Sequence, residues 1–139
     1  MENNQNAPSQ ALAYEFQALR ERKAMYEQNL DLIYASLNNL NNTKETVQNL
    51  KDVEEEDEIL IPVGGIVNLK AKIKDPQKIL LSVSDVVIEK NIDTSLEFID
   101  KLIDQHREQI KFLNEQLQQI EGRLQGISQI FRQGTIPQS

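Results

Sequence analysis

The chain has 139 residues, 39 % apolar but only 5 % aromatic, with 27 % charged and a net charge of −7, which suits one domain with a thin core and a widely solvated surface. An acidic chain without a Lys/Arg cluster repels phosphate backbones and anionic headgroups, so neither nucleic acid nor a membrane surface is expected as a partner. The absence of cysteine excludes a disulfide framework and a thiolate metal site.

The first ten residues, MENNQNAPSQ, lack the basic start and apolar stretch of a signal peptide, and no apolar run reaches the length of a bilayer span, so a cytoplasmic location is expected. Residues 1–8 read as a flexible tail, and Ser9 after Pro8 as the N-cap of a first helix over 9–53. Alternating steps of four and three pick out Leu12, Phe16, Leu19, Lys23, Tyr26, Leu30, Ile33, Leu37, Leu40, Lys44, Val47 and Lys51. Nine of these twelve are apolar or Tyr, and the mean step of 3.5 keeps one seam facing a partner helix along its length. Such a helix would be roughly 60 Å long. The acidic run Glu54, Glu55, Glu56, Asp57 and Glu58 opposes a helix C-terminus and reads as a linker over 54–58.

Residues 59–92 change period. Ile59 to Val63, Ile66 to Ile73, Ile79 to Val83 and Val86 to Ile92 are β-branched runs, broken by Gly64-Gly65, by Asp75-Pro76-Gln77-Lys78 and by Ser84-Asp85, which read as hairpin turns. Pro62 cannot donate to a ladder, which places its strand at an edge or near its end. Four strands in so short a segment leave open edges and an uncovered apolar face, so an obligate oligomer is expected. Phe98 and Leu102, off the second seam, are candidates to cover part of that face.

The second helix is expected over 93–133. Asn91, Asp93 and Thr94 are capping candidates, with Glu97 three after Thr94 for a capping box. Its seam is Leu96, Ile99, Ile103, His106, Ile110, Leu113, Leu117, Ile120, Leu124, Ile127 and Phe131, and Gly134 and Pro137 mark the end. Residues 134–139 read as a flexible tail. Two matched seams most simply pair as an antiparallel hairpin. The fold class is therefore α+β, a long two-helix coiled coil with four short strands in two hairpins between the helices.

The order helix, two hairpins, helix, with Ile59-Leu60-Ile61-Pro62-Val63-Gly64 followed by Lys70-Ala71, then Ser82-Val83 and Val87-Ile88-Glu89-Lys90, resembles the archaeal-type prefoldin alpha-subunit family. The resemblance covers nearly the whole chain. It departs from the family in two turns: Ile66 stands where a second glycine is usual, and Val83-Ser84-Asp85-Val86 replaces another V-G-x-G. What the resemblance implies is a hexamer of two alpha and four beta subunits, with the strands joined into β-barrels and coiled-coil arms hanging from that platform. The partners implied are prefoldin beta subunits, a second alpha copy, non-native polypeptides held between the arm ends without ATP, and a group II chaperonin that receives them. No cofactor, metal or covalent step belongs to that activity. The implied assembly residues are Ile59, Ile61, Val63, Gly64, Gly65, Ile66, Ile79, Leu81, Val83, Val86 and Ile88.

The remaining candidates have ordinary readings. His106, the sole histidine, lacks a second His or a Cys for a metal site and reads as a polar seam residue that helps fix register. Lys23, Lys44 and Lys51 read as seam residues with packed stems and amines in water. Gly64-Gly65 lacks the GxxxxGK[ST] pattern of a phosphate loop, and the run from Glu54 to Glu58 lacks the spacing of a calcium loop. At the arm end Leu12, Tyr14, Phe16, Leu19, Ile127, Ile130, Phe131 and Ile136 are candidates to bind a non-native chain, with Gly122 and Gly126 loosening the helix there. Two readings stand open for them, a client surface or only the last layers of the seam. A structural scaffold or filament-forming paralogue is the alternative function, and no nucleophile, metal set or phosphate loop points to an enzyme.

Overall fold

Helix α1 covers Ala7–Asn49 and tightens into a 3-10 turn over Leu50–Asp52 before the chain turns into strand β1, Glu58–Pro62. Strands β2 (Asn68–Lys72), β3 (Lys78–Val83) and β4 (Val86–Asn91) follow, and helix α2 runs over Ile92–Thr135. The structure is a computed structural model that describes residues 7–135. Because Ala7 and Pro8 are already helical, Ser9 lies inside α1 and is not its N-cap, contrary to expectation. A proline in a first turn costs no helical hydrogen bond, since the N–H it lacks would have had no partner there.

The described residues divide into two units, residues 37–105 and the paired segments 7–36 with 106–135. In the first, Val47, Ile92, Ile99 and Ile103 form a buried cluster against which Leu37, Leu40, Leu50, Ile79 and Leu96 pack. Each fully buried aliphatic side chain of this kind contributes about 1.5–3 kcal/mol. From the strands, Ile79 of β3 reaches this cluster. Phe98 meets β4, with the Lys90 ammonium 5.8 Å from its ring centroid. The start of α2 is fixed by Asn91, whose Oδ1 accepts from the Thr94 N–H at 2.8 Å. Thr94 is thus the capped donor, and the expected capping box headed by Thr94 is replaced. Ser95, fully buried, donates to the Asn91 carbonyl at 2.7 Å.

The four strands make two separate two-stranded sheets, β1 with β2 and β3 with β4, both antiparallel. Ile59 lies opposite Ala71 and Ile61 opposite Leu69, while Leu81 lies opposite Ile88 and Val83 opposite Val86. No barrel closes within the described residues. The expected strand from Ile66 begins only at Asn68, because the Val63 N–H donates to the Val67 carbonyl at 2.9 Å and ties residues 63–67 into a loop. The acidic run is a tight turn as well as a charged surface. Asp57 Oδ2 accepts from the Glu54 N–H at 2.9 Å, Glu56 takes φ 72°, and its N–H donates to the Ile73 carbonyl at 2.9 Å.

In the other unit Leu30, Leu113, Ile120 and Ile127 are buried, and Leu12, Phe16, Leu19, Tyr26, Ile33, Ile110, Leu117, Leu124 and Phe131 are half-buried. The steps of four and three therefore mark the residues that the two helices turn toward each other. Of the two seams, only Lys51 is exposed.

Candidate functional site

The polar positions of the seam are joined across the helices. Lys23 Nζ lies 2.7 Å from Glu121, Lys44 Nζ 2.7 Å from Asp100, and Lys51 Nζ 3.2 Å from Asp93. The amines thus reach carboxylates of α2, not only water as expected. The hydrogen bond to Glu121, then its charge, raises the Lys23 pKa above the usual lysine value. Lys23, Lys44 and Lys51 are spaced by three heptads and one, and Glu121, Asp100 and Asp93 by the same intervals in reverse. That matched spacing was the signal available in the sequence. His106 Nε2 and Ser36 Oγ share a hydrogen bond at 2.9 Å, its direction set by the imidazole tautomer. Such paired polar layers disfavour any slip of one helix along the other, because a slip strands half-buried polar groups.

At the end of α1 and α2 nearest the chain termini, Phe16 and Phe131 meet edge to face with centroids 6.5 Å apart. The Arg20 guanidinium sits 5.9 Å over the Phe16 ring. Arg123 donates to both carboxylate oxygens of Glu15, from Nε at 2.6 Å and from Nη2 at 3.0 Å. That bidentate pair holds the Glu15 carboxyl below the usual carboxylate range and raises Arg123, in each case chiefly through the hydrogen bonds. Of the residues expected to meet a non-native chain, Tyr14 is 76 % exposed and Ile130 47 %. Leu12, Phe16, Leu19 and Phe131 are half-buried, Ile127 is fully buried, and Ile136 lies outside the described residues.

The expected assembly residues share a face in each hairpin. Ile59 and Ile61 alternate with outward Glu58, Leu60 and Pro62, and Ile79, Leu81 and Val83 lie opposite Lys90, Ile88 and Val86. Ile79 and Leu81 are half-buried, while Ile59, Ile61, Val63, Val83, Val86 and Ile88 are exposed. Gly64, Gly65 and Ile66 form the exposed loop between β1 and β2. Each strand has one neighbour only, so one edge of each keeps its backbone groups unpaired with any other described strand. The other hairpin turns at Ser84, whose φ of 53° is the left-handed region that glycine adopts at no steric cost.

Sequence inspection passed over Leu32, 70 % exposed, and Phe112, 57 % exposed, which flank the seam and line a lateral cleft with Asn29, Ile33, Gln109 and Leu113. Their signal is an apolar residue at a heptad position beside the seam, where a solvated helix carries polar side chains. No helix among the described residues is long and apolar enough to cross a membrane.

Heptad-paired helices that enclose two open-edged hairpins with surplus apolar side chains define a coiled-coil assembly subunit. The prefoldin subunit family model matches residues 15–136, and the chain belongs to the prefoldin family, as a chaperone subunit. It is 35 % identical over 121 residues to prefoldin subunit alpha of Pyrococcus horikoshii, covering 86 % of this chain and 82 % of that protein. Prefoldin subunit alpha 1 of Thermococcus kodakarensis is 36 % identical over 96 residues, 68 % of this chain and 66 % of that protein. Among solved structures, a chain of the filamentous prefoldin of Methanocaldococcus jannaschii superposes with a TM-score of 0.72 at 18 % identity, over 81 % of this chain and 93 % of that one. The prefoldin beta subunit of Thermococcus strain KS-1 gives a TM-score of 0.62 at 10 % identity, over 95 % and 96 %. Both share the fold.

Proposed function

We propose that this subunit works in the cytoplasm as a holdase without ATP, capturing non-native polypeptides at the terminal ends of α1 and α2 and passing them to a group II chaperonin. The observation that carries the reading is the exposure of Tyr14 and Ile130, near the same ends of the helices as the Phe16–Phe131 contact, apolar surface left uncovered by the described residues. The edges of β1 to β4 and the exposed Ile59, Ile61, Val63, Val83, Val86 and Ile88 suit docking to prefoldin beta subunits and a second alpha copy, in which strands from several chains complete a barrel.

The test is suppression of aggregation of a denatured protein, at a fixed ratio and without nucleotide, by the assembled complex with a prefoldin beta subunit. Tyr14→Ser with Ile130→Ser should weaken holding several-fold while the mass of the complex is unchanged. Equal holding by this variant would refute capture at the terminal ends. A second reading, an open-ended filament or scaffold, is favoured by the fold shared with the filamentous prefoldin and by the unpaired edges. Sedimentation separates the two, since a discrete complex supports the holdase and a polymer that grows with concentration supports the scaffold.

A further inference from the structure

The two hairpins are attached to the helices in different ways. Strand β4 ends at Asn91 and helix α2 begins at Ile92, so no connecting residue separates them. Asn91 serves both elements. Its backbone lies opposite Lys78 of β3, its Oδ1 accepts from the Thr94 N–H at 2.8 Å, and its carbonyl accepts from Ser95 Oγ at 2.7 Å. Ser95 is fully buried, so pulling α2 away from β4 would leave a buried hydroxyl without its acceptor. Apolar packing ties the same elements together. Ile92 is buried in one cluster with Ile99 and Ile103 of α2, and Ile79 of β3 packs against that cluster. The Lys90 ammonium over the Phe98 ring adds a further contact between β4 and α2.

The β1–β2 hairpin is held otherwise. All five residues of β1 are exposed, and of β2 only Ala71 is half-buried. Neither strand contributes to the buried cluster or to the side chains packed against it. The bonds at its base close the hairpin on itself, the Glu56 N–H donating to the Ile73 carbonyl at 2.9 Å and the Ile73 N–H to the Asp57 carbonyl at 3.1 Å. Its ion pairs, Lys70 with Glu58 at 3.9 Å and Lys72 with Glu56 at 3.6 Å, are internal as well. The chain enters it through the turn at 54–57 and leaves it through the Asp75-Pro76-Gln77 turn, where Asp75 Oδ1 accepts from the Gln77 N–H at 3.1 Å. Swinging this hairpin on those two turns uncovers none of the buried cluster, so little resists the motion.

We propose that β3, β4 and the first turn of α2 move as one piece, with Asn91 as the positioning residue at the joint, whereas β1–β2 is a limb that moves on its two turns. The consequence for assembly rests on the docking of strand edges to other subunits. A partner strand on the β3–β4 edge fixes the first turn of α2 through Asn91, and a partner strand on the β1–β2 edge leaves it unconstrained. One hairpin sets the geometry of an assembly while the other adapts to it.

Hydrogen exchange of the full chain, read by mass spectrometry, tests the joint. In the parent, segment 58–72 should exchange at least roughly tenfold faster than segments 78–90 and 92–97. Asn91→Ala removes the cap and should speed exchange about fivefold in 92–97 and in 78–90 together, with 58–72 unchanged. Asn91→Asp, which keeps an acceptor at that position, should restore both segments. An asparagine that only caps a helix would alter 92–97 alone, and that result overturns the joint. Complete exchange of 78–90 while 92–97 stays protected overturns it too. Leu69→Gly, which weakens β2, should speed 58–72 alone, and acceleration of 78–97 as well overturns the independent limb. The complex with a prefoldin beta subunit tests the consequence. Assembly should protect 92–97 several-fold further in the parent and not in Asn91→Ala, at equal mass of the two complexes. Equal added protection in the variant overturns transmission through Asn91. If the strands gain no protection on assembly, edge docking falls and transmission with it, while the exchange pattern of the chain alone still decides the joint.

Discussion

Replacing Gly122 and Gly126 together by Ala tests whether the helix end beyond Ile120 is kept loose. Both glycines lie within the continuous helix α2, one turn apart. A glycine in a helix interior costs about 1 kcal/mol relative to Ala, mainly through the backbone entropy it forfeits on ordering. An added Cβ meets no atom within 4 Å at either position, so no steric penalty offsets that gain. The expected stabilisation is about 2 kcal/mol, or roughly 30-fold slower amide exchange if opening of this segment governs exchange. Hydrogen exchange read by mass spectrometry over residues 118–131 measures it directly, and circular dichroism confirms that the helix is otherwise unchanged. If holding requires this end to open, suppression of aggregation should fall as protection rises. Unchanged or faster exchange in the double Ala variant would refute the reasoning, because neither strain nor collision is left to explain it.

Three further outcomes follow from particular contacts. Ser84→Gly should stabilise the chain by about 1 kcal/mol, seen as a raised urea midpoint, because it relieves a non-glycine residue held at φ 53°; the neighbouring Asp85→Gly should give no such gain. The Glu15 carboxyl is depressed in the folded chain by Arg123, so its contribution is complete above the unfolded carboxylate pKa and is lost as pH falls through the lower folded value. The Arg123 Nε–H resonance should report that loss on acidification, and Glu15→Gln should abolish the transition. A double-mutant cycle on Lys44 and Asp100, whose side chains are 33 % and 49 % exposed, should give a coupling of about 0.2–1 kcal/mol that shrinks with salt.

The seams were legible because a spacing of 3.5 residues has one physical cause, a helix face that must meet another helix along its length. The hairpins were legible from β-branched runs and turn residues, but Ile66 and Val67 were read as strand because their propensity is high and the bond that loops them out joins Val63 to Val67. The cap of α2 was ambiguous among Asn91, Asp93 and Thr94, since all three side chains can accept a helix N–H and only backbone geometry selects Asn91. The lysine partners are not legible in either helix alone, because the pairing appears only when α2 is counted backward against α1. Leu32 and Phe112 escaped because a two-per-heptad template sees the seam and not its flanks. Tyr14 and Ile127 illustrate what pattern cannot give: both were grouped by position near the end, yet one is 76 % exposed and the other fully buried.

The three seam lysines belong to α1 and the 3-10 turn that closes it, and their carboxylate partners all to α2. During synthesis α1 leaves the ribosome before α2 exists, with its apolar stripe uncovered. Two such nascent helices from neighbouring chains would bring ammonium against ammonium wherever their seam lysines met, and like charges at close range repel. The segregation of sign between the two helices therefore leaves α1 open to its own later half while discouraging premature pairing with a sibling chain.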